Sequence, residues 1–212
     1  MQRIIVRSTL SCILVPSAIN RSVGIVLIAF AGLTGCTWLK SSALDVAYRF
    51  DDWYELQPVA GLTQPLTVSQ VVHSRYDDQR NTLLSQVELR ENRLIIVGLG
   101  HLGSPLFSVI WDGETLEAEV SPLLPEAFHS GYLVRDLQLS FWPLESIQQG
   151  LLDADWQVDE QPGMRQYYHD GSEQIRITYF PETDKWTQRW QGKVHFQHLK
   201  YGYEIKFEGL NE

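Results

Sequence analysis

The sequence predicts an α+β fold built on an antiparallel sheet, and three observations predict it. Segments after Leu66 alternate apolar and polar residues with a period of two. Turn-forming pairs such as Asp112-Gly113 and Asp170-Gly171 stand between them. One central interval loses that period and takes up helical spacing. The order is about five strands, two short helices and about five more strands, and helices segregated to one side of an antiparallel sheet define the α+β class.

Each element follows from its pattern. Leu83, Ser85, Val87 and Leu89 alternate with Gln86, Glu88 and Arg90, which is a strand with one buried face. Glu91-Asn92 turns the chain into Leu94-Ile95-Ile96-Val97, apolar on both faces and suited to a strand covered on both sides. Gly103-Ser104-Pro105 breaks the next pair, and Phe107, Val109 and Trp111 share one face after it. Leu116, Ala118 and Val120 alternate with Glu117 and Glu119. Pro125–Gln138 and Pro143–Leu152 lack the period of two. In the second, Leu144, Ile147 and Leu151 fall on one helical face, with Pro143 at the first helical position and Gly150 near the end. Beyond it, Ile175, Ile177 and Tyr179 alternate with Arg176 and Thr178, and Val194 and Phe196 share a face. Tyr201, Tyr203, Ile205 and Phe207 alternate with Gly202, Glu204, Lys206 and Glu208 in the last strand. Asp-Gly pairs tolerate the positive φ angles of tight hairpins.

Upstream, Val23–Gly35 is a thirteen-residue apolar run behind Arg21. That is too short to span a bilayer, which takes about 20 residues, and it fits the apolar core of a signal peptide. Leu33-Thr34-Gly35-Cys36 resembles a bacterial lipobox. The resemblance implies cleavage before Cys36 and lipidation of its thiol, and Thr37, not being aspartate, implies sorting to the outer membrane. The expected organisation is a signal peptide over 1–35, a lipidated tether over 36–65 and one domain over 66–212. Within the tether, Leu44, Tyr48 and Phe50 could begin a short helix that packs on the body.

Composition narrows the chemistry. The net charge is −9, and the leader holds Arg3, Arg7 and Arg21 with no acid, so the remainder is more acidic still. Such a surface repels phosphate backbones and argues against nucleic acid. The two cysteines are Cys12 in the leader and Cys36, which leaves none for a disulfide or a metal. His195 and His198 are three apart on a strand and point to opposite faces, so they cannot chelate one metal. No Gly-x-Ser-x-Gly elbow and no phosphate-cradling glycine loop is present. Asp51-Asp52 and Asp77-Asp78 read as solvated turns. No catalytic residue, metal or cofactor is expected.

Three stretches carry a wider resemblance: "RLIIVGLGHLGSPLFSVIWDGETLEAE", "YLVRDLQLSFWPLESIQQGL" and the "DADWQV … MRQYYHDGSEQIRITYF" meander. Over about Leu66–Leu210 the chain resembles the LolA/LolB superfamily, a curved antiparallel half-barrel with a helical lid. More narrowly, it is similar to a family of such lipoproteins often encoded with fatty-acid-like or aryl-polyene synthesis genes. The resemblance implies an apolar cavity and no catalytic residues. It implies outer-membrane attachment on the periplasmic side, with an acyl or polyene chain or a client lipoprotein as ligand and a periplasmic carrier protein as partner. It also implies a membrane-facing loop at Gly100–Pro105, with Leu102 at its tip. The plain alternative is a hairpin tip with Leu102 folded back on the sheet.

The cavity candidates are Val87, Leu89, Leu94, Ile96, Phe107, Val109 and Trp111 from the first strands. Ile175, Ile177, Tyr179, Phe196, Tyr203 and Ile205 come from the last. Leu133, Leu137, Trp142, Leu144 and Ile147 would form the lid face. These side chains either line a hollow or fill a core. A hollow sheet implies binding of an acyl chain for transport or placement. The alternatives are an acyl-processing enzyme, such as an esterase or acyltransferase, and a filled-core assembly scaffold at the membrane.

Overall fold

The computed structural model describes residues 52–59, 65–125, 128–183 and 185–210, all within one compact unit, Lys40–Glu212. The expectations for the leader, for Cys36 and for a helix at Leu44, Tyr48 and Phe50 lie outside the described residues. Five strands come first: β1 (Leu66–Tyr76), β2 (Gln79–Arg90), β3 (Arg93–Leu99), β4 (Pro105–Trp111) and β5 (Leu116–Val120). Helices α1 (Ser130–Phe141) and α2 (Leu144–Gly150) follow. Then come β6 (Trp156–Gln161), β7 (Met164–His169), β8 (Ser172–Phe180), α3 (Trp186–Gln191), β9 (Lys193–His198) and β10 (Tyr203–Gly209).

All ten strands join one antiparallel sheet in the order β5-β4-β3-β2-β1-β10-β9-β8-β7-β6. The first and last strands in sequence pair with each other, so Tyr76 faces Tyr203 across β1 and β10. The edges are β5 and β6, and the sheet is open, as an α+β half-barrel requires. No helix among the described residues is long and apolar enough to cross a membrane.

Alternation sets which face is buried. Leu94 and Ile96 of β3, Val109 of β4, Ile175 and Ile177 of β8 and Phe196 of β9 are all within 1% of complete burial. They join side chains of α1 and α2 in one continuous apolar cluster. Burying each such side chain stabilises the fold by about 1.5–3 kcal/mol. Ile95 and Val97 on the other face of β3 are half-buried, so that strand is only partly covered on its second side.

Several local expectations are corrected. Tyr201 stands in the turn before β10, not on the strand. Pro143 is the residue before α2 rather than its first turn. The Asp112-Gly113 turn works partly through the aspartate side chain, whose Oδ1 accepts from the N–H groups of Glu114 and Thr115. Those two bonds hold its carboxyl below the usual range. At Asp170-Gly171 both residues have positive φ, the backbone that a two-residue hairpin needs. Helix α3 was not foreseen. Its Trp186 and Trp190, one helical turn apart, are its inward side chains.

The segment expected as tether contributes to the core. Tyr54, Leu56 and Val59 are buried, and Tyr54 forms a bridge with Leu151. Glu55 N–H donates to Gly150 O at 2.9 Å. This strap passes so close to Gly150 that a Cβ there would lie 2.6 Å from the Tyr54 ring and 2.8 Å from Glu55 O. Gly150→Val should therefore lift the strap and cost about 1–3 kcal/mol as an overpacked site. A lower urea midpoint, with loss of the Trp53 stacking signal in near-ultraviolet dichroism, would report it.

Candidate functional site

The site the sequence points to is the concave face of the sheet and the helix across it. Fourteen of the eighteen cavity candidates are buried: Val87, Leu89, Leu94, Ile96, Phe107, Val109, Trp111, Leu137, Trp142, Ile147, Ile175, Ile177, Tyr179 and Phe196. Leu133, Tyr203 and Ile205 are half-buried against the same cluster, and Leu144 is half-buried on α2. The structure brings these side chains together, and among the described residues they pack on one another and on the strap.

Helix α1 occupies the concavity as a core element. Every residue from Val134 to Trp142 is buried. A helix end leaves its last carbonyls without intrahelical partners, and here those carbonyls point into protein. Leu139 O accepts from Arg165 Nη1 and from Tyr167 Oη, both at 2.8 Å. Ser140 O accepts from Tyr179 Oη at 2.9 Å, and Phe141 O from Trp186 Nε1 at 2.7 Å. Trp142 O accepts from Arg165 Nη2 at 2.9 Å. The donors come from β7, β8 and α3, so three elements grip one helix end.

Charge reinforces the grip. Arg165 is fully buried. Burial works against its charge, but Tyr179, Tyr167 and Glu160 around it raise its pKa and keep it a cation. Glu160 binds both Arg165 and Arg189, the latter at 2.8 Å. Its own burial opposes ionisation, yet these two guanidinium groups hold it below the usual carboxylate range. Arg189 also stacks over the Tyr179 ring at 4.3 Å. A cation at a helix C-terminus is favoured by the macrodipole as well.

Gln138 fastens the strap to the other side of α1. Its amide donates to Gln57 O at 2.7 Å and accepts from Gln57 N–H at 2.8 Å, as a neighbouring strand would. Tyr54 Oη also donates to it, at 3.1 Å. Trp111 Nε1 donates to Gln57 O from the sheet side, at 2.8 Å.

The first turns of α1 reach the opposite end of the concavity, where the chemistry is more polar. Arg135 and Asp136 form a buried ion pair. Tyr203 Oη donates to Asp136 Oδ2 at 2.6 Å and accepts from Arg135 Nη2 at 3.0 Å. Burial and the Asp136 carboxylate drive the Tyr203 phenol pKa well upward, so it remains a neutral donor. Beside it, His198 is buried among the rings of Phe196, Tyr201 and Tyr203, and among the described residues its Nδ1 has no hydrogen-bond partner. His195 lies on the outer face, bonded to Glu204 at 3.1 Å, so the two histidines do face opposite ways.

Two further features are open to solvent. A groove of about 590 Å³ runs along the β6 edge, lined by Leu151, Leu152, Ala154, Trp156 and Val158 with Gln148, Asp153 and Gln157. At the β3–β4 tip, Leu102 is fully exposed. Its φ of 66° is uncommon for leucine. The folded-back alternative is not what the structure holds. The sequence reading missed the strap, Gln138, Arg165 and His198. The available signal was a charged residue, Arg165, sharing the inward face of its strand with Tyr167.

Two outcomes test this account. Arg165→Met leaves Glu160 with Arg189 as its one remaining cation and takes the Arg165 donor from Leu139 O and Trp142 O, so unfolding in denaturant should show a loss of about 3 kcal/mol. Arg176→Met, which removes only an exposed pair with Glu173, should cost at most about 1 kcal/mol. His198 gives a pH signature. Burial pushes its pKa down from 6.5 to about 3, so below 6.5 the unfolded chain binds a proton that the folded chain refuses. Stability is then full above pH 6.5 and falls as pH drops toward 3, by about 1.4 kcal/mol per unit. The drop between pH 6.5 and 4.5 should vanish in His198→Phe when unfolding is followed across pH.

No curated protein matches the chain. Residues 67–211 match a family described as "Protein of unknown function (DUF3261)". That span takes in the ten-stranded sheet from its second residue, with all three helices, and the chain therefore belongs to the DUF3261 family.

Proposed function

We propose that the protein is lipid-anchored through Cys36 on the periplasmic face of the bacterial outer membrane. There it binds an acyl or polyene chain, or the lipid part of a client lipoprotein, for transport or placement in the membrane. The fold in this reading is the LolA/LolB-like half-barrel. The observation that carries it is Leu102, a leucine held fully in solvent at positive φ on a strand tip. That arrangement costs backbone strain and leaves an apolar side chain uncovered, which fits a residue whose partner is hydrocarbon.

The pinned C-terminus of α1 favours binding outside the packed interior. Opening α1 there would break five side-chain bonds to four carbonyls. The open groove at the β6 edge needs no such opening. Each methylene buried in it would contribute up to about 0.8 kcal/mol.

A second reading has its own support. The packed concave face favours a filled-core scaffold that docks an assembly partner at the membrane. Mass spectrometry of lipid extracted from the native protein separates the two. Co-extracted acyl chains, together with binding of a fluorescent fatty acid, support the carrier. An empty protein that co-purifies with one fixed partner supports the scaffold. Leu102→Glu should slow transfer of a fluorescent acyl chain to vesicles. It should leave the unfolding midpoint unchanged to within about 0.5 kcal/mol, as for other surface substitutions. Cys36→Ser should abolish incorporation of labelled glycerol.

A further inference from the structure

The exposed large apolar side chains are not scattered. Tyr76 ends β1, Leu102 tips the β3–β4 connection, and Val120 and Leu123 close β5. Leu199 and Tyr201 form the β9–β10 turn. Antiparallel register puts all of these at one end of the sheet: Tyr76 faces Tyr203, Leu99 faces Pro105, and Val120 faces Phe107. Tyr132, on the first turn of α1, is exposed and stands at this same end, because Arg135 one turn on bonds Tyr203. Among the described residues only Phe180 and Leu210 of this exposed class stand at the other end. In sheet order the arc runs from β5 through β4, β3, β2, β1 and β10 to β9.

The first described residues lie at this end too. Asp52 is the first described residue, and Trp53 stacks on Trp156 at 3.8 Å, at the start of β6. The strap then runs away from this end, to Pro58 against Gly113 at the opposite turns. Fifteen residues lie between Cys36 and Asp52, a length that spans at most on the order of 50 Å. An acylated Cys36 would therefore lie within reach of the rim that carries the apolar arc.

We infer that this rim, from Val120 at the end of β5 and Leu123 just after it to Leu199 and Tyr201 in the β9–β10 turn, is a docking face for the phospholipid bilayer, lying at headgroup depth with Leu102 deepest. The inference rests on the proposed membrane attachment and extends it from one residue to an oriented surface. Tyrosine suits that depth, with its ring toward hydrocarbon and its hydroxyl toward water. The charges at this end are mixed, with Glu119 beside Val120 within the arc. Asp153, Asp155 and Asp170 cluster on the β6–β8 side of this end, outside the arc, where they would lean away from anionic headgroups. Within the arc, Lys200 sits over the Tyr201 ring at 5.6 Å. Asp77 and Asp78 at the β1–β2 turn are flanked by Arg75 and Arg80, a mixed set that suits the headgroup layer.

The test uses the full chain, purified from membranes and floated on vesicles of phosphatidylethanolamine and phosphatidylglycerol. The chain has no cysteine beyond Cys12 and Cys36, so a new one can be labelled selectively. Leu123→Cys and Leu199→Cys place an environment-sensitive dye on the rim, and Asn92→Cys places it on the opposite turn. All three positions are exposed, and an unchanged unfolding midpoint verifies each fold. A blue shift with quenching by nitroxide-labelled lipid at 123 and 199, and neither at 92, is the expected result. Water-like emission at 123 and 199 in the floated chain overturns the inference, and so does a chain that fails to float. A rim that is wet on vesicles but shielded in isolated envelopes also overturns it, in favour of a protein partner. Lipid extraction is read separately. A wet rim on a chain carrying lipid removes this surface alone, and a buried rim on an empty chain removes the ligand reading alone.

Discussion

The structure depends on how the C-terminal end of α1 is satisfied. An α-helix ends in carbonyls without partners, and in water the solvent supplies the donors. Here that end is sunk in the concavity of a sheet, where an unpaired carbonyl would cost about 1–3 kcal/mol. Arg165, Tyr167, Tyr179 and Trp186 supply the donors instead. Each sits on an element that is otherwise far away in sequence. The helix end therefore fixes the positions of β7, β8 and α3 relative to one another. It also explains why a cation can be buried completely. Arg165 has two carbonyls and Glu160 around it, and Glu160 is shared with Arg189.

The same constraint makes α1 a core helix. A cover has one greasy face and one wet face, whereas α1 has polar residues turned inward on several sides. Gln138 fastens the strap, Ser140 Oγ returns to Asp136 O at 2.7 Å, and Arg135 and Asp136 meet Tyr203. The strap closes the side of the helix that the sheet leaves open. Its Tyr54, Leu56 and Val59 enter the same apolar cluster as β3, β4, β8 and β9. The two ends of α1 differ. Neutral phenols and a cation meet the carbonyl end, and an ion pair with a neutral buried histidine lies near the amino end. The second end is nearer the open rim.

Strands were legible because burial on one face leaves a period of two, and β8, β10 and the second half of β2 show it in nearly every residue. The turns were legible where backbone chemistry is specific, as at Asp170-Gly171. What could not be read was contact between segments distant in the chain. Gln138 looks like any polar helix residue until Gln57 is placed beside it. Gly150 reads as a helix terminator, and its second role, leaving room for Tyr54, belongs to the strap. Arg165 alternates correctly on its strand and was the one visible anomaly, a charge on an inward face. Leu102 was legible as a loop tip, but its full exposure at positive φ is encoded by no pattern of residues. Helix α3 is six residues long, too short for a periodic signal, and it forms because Trp190 stacks on Phe141 at 4.0 Å.

A concave face occupied by the protein's own helix moves the functional question to the surface. Had the sheet been hollow, its capacity for hydrocarbon would have been set by the volume left inside. With α1 fixed in place, any capacity for hydrocarbon under the proposed function would lie in the groove at one edge and in the rim where the exposed apolar side chains gather. Those two features share an end, because Trp156 opens the strand that lines the groove and Trp53 stacks on it. Geometry of this kind asks for rigidity, since a tether and a docking rim can present a fixed groove only if the body between them does not deform. The buried grip on the carbonyl end of α1 supplies that rigidity.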